Sequence, residues 1–187
     1  MSVATLTEAI RDRIEEPWKK SLLIKDRDLW YRLCSSLDVL EDTQLAIASF
    51  AEIDPEAAKG MLYLTVYGLL QALFVQQDAA CHLCEALKLP VPTMKKIPTL
   101  WHVRTTRNDT VGHPTKRGNK SDVCYHFISR MTLTPEGFQL LSFDRLGTLS
   151  ARHESIPMLV ADQEKAMGTV LAEVLKTLEQ EQDARDV

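Results

Sequence analysis

The sequence predicts a mainly α-helical fold: an up-and-down bundle of four to five helices, with a β-hairpin inserted at about residues 123–144. Two observations predict it. Over most of the chain, apolar side chains recur every three to four residues, which is the spacing of one helix face. Over 123–144 they alternate with polar side chains instead, as in a half-buried strand. A length of 187 residues suits one domain, which is predicted to span residues 1–187.

Proline residues mark two of the predicted helix ends. The first helix is expected to stop near Pro17. The third is expected to begin at Pro55, because the missing N–H of proline costs nothing at the first helical position. This third helix is apolar on several sides, which is typical of the central helix of a bundle. The predicted helices cover about 5–20, 26–53, 55–87, 99–111 and 161–181.

The hairpin is predicted from two alternating runs, 123–131 and 137–144. The connection Thr134-Pro135-Glu136-Gly137 has proline at its second position and glycine at its fourth, which fits a type I turn. We therefore expect the two runs to pair as antiparallel strands.

The composition indicates an ordinary globular protein, with 45% hydrophobic and 26% charged residues. No apolar run approaches the ~18 residues that cross a bilayer, and acidic residues interrupt the first twenty positions where a signal peptide would be apolar. The protein is therefore expected to be cytoplasmic, with no membrane contact. A net charge of -4 excludes a general nucleic-acid coat protein, so any contact with nucleic acid must use a local basic patch.

The four cysteines are expected to be free thiols. Cys81 and Cys84 have the C-x2-C spacing of metal sites, but no second pair follows at finger-like spacing. We therefore predict no metal and no other cofactor.

A polar cluster from Arg107-Asn108 through His113 ends the fourth predicted helix and is the candidate for chemistry. Arg107 shares a helix face with apolar residues, and that face should be buried. Arginine is almost never fully buried without a partner. We therefore expect Arg107 either to pair with a buried acid, such as Asp78, or to line a cleft that receives an anion.

Gly112 and Pro114 predict how this helix ends. Gly112 is expected to adopt the left-handed conformation, and Pro114 cannot continue a helix. Such an ending would fold His113 back over Arg107 and Asn108. The three side chains would then suit a phosphodiester, because histidine transfers protons near neutral pH, arginine binds phosphate oxygens and asparagine orients either group.

Basic residues surround the cluster. Residues 94–120 contain seven of them against one acid, Asp109, and such a patch suits a nucleic-acid backbone. Asp78, a polar residue in an apolar helix, is expected either to support the site or to face solvent. The residues predicted to bind substrate are Arg104, Lys116, Arg117 and Lys120.

The segment RNDTVGHP (107–114) resembles the R-x(4–6)-H signature of HEPN domains, with Asn108 as the polar residue directly after the arginine. Many HEPN proteins are metal-independent endoribonucleases, often toxins or defence proteins, that act as dimers with paired motifs. The resemblance implies that His113 is the general acid/base or activates the RNA 2′-hydroxyl, that Arg107 stabilises the phosphorane, and that Asn108 orients them. The hairpin departs from the family pattern and is interpreted as an insertion.

Two other hypotheses stay open. Some HEPN members have lost catalysis, so the chain is alternatively a non-catalytic module that binds RNA, nucleotide or a regulatory protein partner. The second is a helical interaction protein in which Arg107 only neutralises a buried acid. The predicted partners are RNA or nucleotide, a second copy of the chain, and a regulatory protein.

Overall fold

The computed structural model describes residues 1–119 and 123–186, and it confirms the predicted mainly α-helical class with an inserted hairpin. The described residues contain six α-helices and a three-stranded antiparallel sheet. None of the described helices combines the length and the apolarity needed to cross a bilayer. In chain order the elements are α1 (Val3–Glu15), α2 (Pro17–Leu23), α3 (Arg27–Phe50), α4 (Lys59–Ala86), a 3-10 turn (Met94–Lys96), α5 (Pro98–Arg107), a π-helical turn (Asn108–Gly112), β1 (Cys124–Ile128), β2 (Gly137–Asp144), β3 (Leu149–Ser155) and α6 (Ile156–Asp186).

The structure shows two differences near the predicted prolines. The first helix stops near Pro17 as predicted, but the segment expected as one helix over 5–20 is two helices, because Pro17 lacks the N–H that would continue α1 and Glu16 leaves the helical conformation (φ -54°, ψ 131°). Helix α4 begins at Lys59 rather than at Pro55. The reason is a turn at Asp54, whose side chain accepts a hydrogen bond from the Glu56 N–H at 2.9 Å.

The predicted hairpin is present and has a third strand. β1 pairs with β2 in antiparallel register, and the Gly137 N–H donates to the Thr134 carbonyl at 3.3 Å in the connecting turn. β3, which the sequence did not predict, pairs with β2, so the strand order is β1-β2-β3. Helix α6 directly follows β3 (Leu149–Ser155) and begins at Ile156, earlier than the predicted start near 161.

The chain forms two compact units, and α3, α4 and α6 contribute residues to both. The first unit comprises residues 1–45, 75–97 and 164–187, and the second comprises 46–74 and 98–163. In the first unit, α1 buries one face at helical spacing through Val3, Leu6, Ile10 and Ile14.

The second unit contains the whole of the predicted cluster, and a single hydrophobic core supports it. This core joins α4, α5, the sheet and the start of α6. It buries the side chains of Leu62, Val66, Leu69, Leu70, Leu73, Val103, Ile128, Leu133, Phe138, Leu140, Ile156 and Leu159.

Candidate functional site

Helix α5 and the π-helical turn after it position the predicted cluster. The His113 N–H donates to the Asn108 carbonyl at 2.7 Å, and a bond between residues five apart is the mark of a π-helix. The His113 backbone thus bonds to Asn108, but the predicted fold-back of the His113 side chain over Arg107 and Asn108 is not observed, because that side chain is exposed. The expected left-handed Gly112 is wrong, because its φ is not positive and it lies inside the turn. Single π-helical turns occur frequently at functional sites.

Gly112 leaves space for the Arg107 guanidinium, and its backbone conformation does not itself require a glycine. A Cβ atom at this position would lie 2.8 Å from Nη1 of Arg107 and 3.3 Å from Oδ1 of Asn108. The first distance is shorter than any ordinary contact, so a larger residue would displace the guanidinium group. Because Gly112 has no side chain, the Arg107 guanidinium can lie against its backbone.

Three side chains hold the Arg107 guanidinium. Its Nε and Nη2 donate to Oε1 of Gln71 at 3.0 and 2.8 Å, and its Nη1 donates to Oδ1 of Asn108 at 2.9 Å. The Phe74 ring lies against it, with Cζ of Arg107 4.3 Å from the ring centroid. A guanidinium carries five N–H groups. Three of them make these bonds, and the other two bond no described residue of the second unit.

The charge of Arg107 is not balanced within its unit. Both of its hydrogen-bond acceptors are neutral amides, and no carboxylate among the described residues of the second unit pairs with it. Its side chain is also partly exposed. Of the two roles expected for Arg107, this setting favours the cleft that receives an anion. Asp78 belongs to the first unit, where it lines a small hollow with Ser35 and His82.

His113 directly follows the π-helical turn, and its side chain is exposed. Among the described residues of the second unit, its imidazole makes no hydrogen bond and no ion pair. The structure therefore brings the Arg107 and Asn108 side chains together and leaves the His113 side chain at the solvent boundary.

The predicted substrate-binding residues lie in different settings. Arg104 shares the Phe74 ring with Arg107, with its Cζ 4.1 Å from the centroid. Lys116 is exposed, and Lys120 lies outside the described residues. Of the predicted substrate-binding residues, Arg104 is therefore the one that contacts the same aromatic ring as Arg107.

Arg117, the fourth of these residues, belongs to a buried network that the sequence did not reveal. Asp109 is 3% exposed; its Oδ1 accepts from Nη1 of Arg117, and its Oδ2 accepts from Nη2 of Arg152 at 2.9 Å. Nε of Arg152 donates to Glu154 at 2.5 Å, and the other Glu154 oxygen lies 2.9 Å from Nε2 of His102. These five residues, the Asp109 network, connect the π-helical turn to β3. Asp109 thus already balances the charge of Arg117.

His126 lies beside the Asp109 network. Its Nδ1 shares a hydrogen bond with Oγ of Ser142 at 2.7 Å, and its Nε2 is 3.5 Å from Oδ1 of Asp109. Burial lowers the pKa of His126, and the nearby Arg152 and Arg117 charges lower it further. The neutral imidazole is therefore favoured at this position.

Sequence spacing could have identified two of the missed residues. Val103, Thr106 and Asp109 follow one another at intervals of three, and all are buried. Gln71 is a polar residue inside an apolar run of α4. Arg152 carried no comparable signal, because the strand that places it was not predicted.

The structure also describes the cysteines and the metal-binding residue types. Among the described residues, no group of three or more His, Cys, Asp or Glu side chains is arranged to hold a metal ion. Cys81 and Cys84 lie in the first unit, and neither forms a disulfide with a described residue. Burial raises the pKa of Cys84 to about 11, so its thiol is protonated and unreactive near neutral pH.

Comparisons of the chain with protein-family models, with curated proteins and with solved structures give no significant match. The resemblance to HEPN domains therefore rests on the motif in the segment 107–113.

Proposed function

We propose that the protein is a HEPN-like, metal-independent endoribonuclease that acts in the cytoplasm as a homodimer, in a toxin or defence role. The observation that supports this function is the setting of Arg107. Gln71, Asn108 and Phe74 hold its guanidinium, two N–H groups are unused, and no carboxylate of the described part of its unit balances its charge. An arginine that is held in this way and keeps two N–H groups unbonded within the described part of its unit is suited to the oxygens of a phosphate.

In the proposed reaction the RNA 2′-hydroxyl attacks the adjacent phosphorus atom, and the bond from phosphorus to the 5′ oxygen breaks. His113 accepts the proton of the 2′-hydroxyl as general base. The two free N–H groups of Arg107 donate to the non-bridging oxygens, where negative charge grows in the transition state. Asn108 keeps the guanidinium oriented through its 2.9 Å hydrogen bond. The 5′ oxygen leaves with a proton from solvent, which gives a 2′,3′-cyclic phosphate and a 5′-hydroxyl end.

A second candidate function is a non-catalytic module that binds RNA, nucleotide or a regulatory protein. The exposed His113 imidazole favours this candidate. A catalytic histidine is usually oriented by a hydrogen bond, and this imidazole makes none with the described residues of its unit. Arg107 would serve such binding with the same two N–H groups. The two candidates therefore differ in the role of His113 and agree in the role of Arg107.

Cleavage of a single-stranded RNA in excess EDTA tests the proposed function. Wild-type protein is expected to cut the RNA and to leave 2′,3′-cyclic phosphate ends. His113→Ala is expected to lower the rate by at least ~10²-fold, which is the lower bound of a typical general acid–base contribution. His153→Ala is the matched control, since His153 is exposed on β3 in the same unit.

The outcomes separate the two candidates. If wild-type protein binds RNA in an Arg107-dependent manner but does not cut it, the binding module is supported and the nuclease is wrong. If it neither cuts nor binds RNA, the nuclease and the RNA-binding form of the second candidate are both wrong.

A further inference from the structure

A cavity of about 980 Å³ adjoins the π-helical turn. Its wall includes Thr110 from the turn and Pro114, the residue directly after His113. Pockets for small molecules occupy about 300–1,000 Å³ and are largely apolar with a few polar groups. This cavity has one permanently charged lining residue, Arg130, and no carboxylate among the described residues of its wall. It therefore suits a ligand with an apolar surface and a negative charge.

One face of α4 connects the cavity to Arg107. Tyr63, Tyr67 and Gln71 are spaced four residues apart, so they lie on the same helix face. Gln71 accepts the two hydrogen bonds from Arg107. Tyr67, which lines the cavity, lies one turn earlier, about 6 Å along the helix axis. The cavity wall at Tyr67 and the Gln71 side chain that holds Arg107 are therefore one helical turn apart on the same face of α4.

Tyr67 is held in place and still accessible. Its ring and that of Tyr63 form an edge-to-face pair, with centroids 5.8 Å apart and an interplanar angle of 72°. The Tyr63 hydroxyl donates to the Ile128 carbonyl at 3.4 Å, which ties this pair to β1. Tyr67 is 37% exposed. Proteins that bind single-stranded nucleic acid use accessible aromatic side chains of this kind to stack the bases.

We propose that the cavity is a nucleobase subsite, in which the base next to the phosphate held by Arg107 stacks on Tyr67. This inference rests on the proposed function, because it needs Arg107 to bind the phosphate. It adds the class of substrate: only an unpaired base can enter the cavity, so the RNA is single-stranded at the site. Arg130 is placed to contact a neighbouring phosphate of the same strand.

Binding of two 2′-fluoro hexamers tests the subsite, because they lack the 2′-hydroxyl and cannot be cut by the proposed reaction. One hexamer carries bases, and the other is abasic at every position with the same phosphates. Wild-type protein is expected to bind the first about 5- to 150-fold more tightly, which is the contribution of stacking one base on an aromatic side chain. Tyr67→Ala is expected to remove most of this preference, and Tyr67→Phe is expected to retain it.

Tyr31→Ala is the control, because Tyr31 is 67% exposed and lies in the first unit. Equal binding of both hexamers by wild-type protein, no binding of either, or an undiminished preference in Tyr67→Ala would overturn the subsite. The cleavage assay in EDTA is separate. Cleavage without a Tyr67-dependent preference would leave the nuclease standing and the subsite wrong. A Tyr67-dependent preference without cleavage would support the subsite and contradict the nuclease.

Discussion

Replacing Asp109 by asparagine is expected to lower the free energy of unfolding by about 3 kcal/mol, at the lower end of the cost of breaking a buried ion pair. Asp109 is 3% exposed, and its two oxygens contact the guanidinium groups of Arg117 and Arg152. Asparagine is neutral, so one of the two positive charges of Arg117 and Arg152 would lose its balancing carboxylate. The cost stays at the lower end because the two arginine side chains are 30% and 37% exposed, so solvent screens part of the charge.

Urea unfolding followed by circular dichroism measures this change as a lower midpoint at an unchanged slope. The matched control is Asp38→Asn, because Asp38 also contacts an arginine, Arg11, at 2.9 Å but is 64% exposed. Exposed ion pairs contribute only about 0–1 kcal/mol. Equal, small shifts in the two variants would mean that the Asp109 network does not stabilise the fold.

Replacing Arg107 by alanine is expected to lower the rate of RNA cleavage by about 10²–10³-fold, the usual loss when one donor to a developing oxyanion is removed. The stability should change little, because Arg107 is partly exposed and its partners are neutral. Arg107→Lys is expected to recover little activity. A lysine ammonium cannot reproduce the planar set of donors that reaches Gln71, Asn108 and a phosphate together.

A substitution at Gly112, the glycine beside the Arg107 guanidinium, tests the same role without removing the arginine, and Gly68→Ala is its control. Gly112→Ala is expected to lower cleavage in the same direction, because its Cβ would lie 2.8 Å from Nη1 of Arg107. Gly68→Ala also adds a methyl group to a helix of the second unit, but no atom lies within 4 Å of the added Cβ. Full activity in both Arg107→Ala and Gly112→Ala would contradict the role of the guanidinium.

The long helices and the hairpin could be predicted because their signals are local. Apolar spacing, proline positions and a four-residue turn each depend on neighbours in the sequence. β3 could not be predicted in the same way. Its segment, LSARHES, shows no regular alternation of apolar and polar residues, and it forms a strand through its pairing with β2.

The candidate site could be predicted only in part, because some of its contacts are local in sequence and others are long-range. The polar cluster and the backbone turn at Asn108–His113 follow from a short segment. The partners of this segment come from far along the chain: Gln71 is 36 residues from Arg107, and Arg152 is 43 residues from Asp109. The prediction for Gly112 was wrong for a related reason. A glycine two residues before a proline signals a left-handed helix end, whereas here Gly112 lies in a π-helical turn against the guanidinium of Arg107, a contact that a local pattern does not show.

A double-mutant cycle most directly tests the central claim that Arg107 and His113 act on one phosphate. It compares the rates of RNA cleavage in excess EDTA for wild type, Arg107→Ala, His113→Ala and the double variant. Residues that serve one transition state show strongly non-additive losses. The double variant is therefore expected to be about as slow as the slower single variant. If the two losses multiply in the double variant, or if the wild type does not cut RNA, the claim is contradicted.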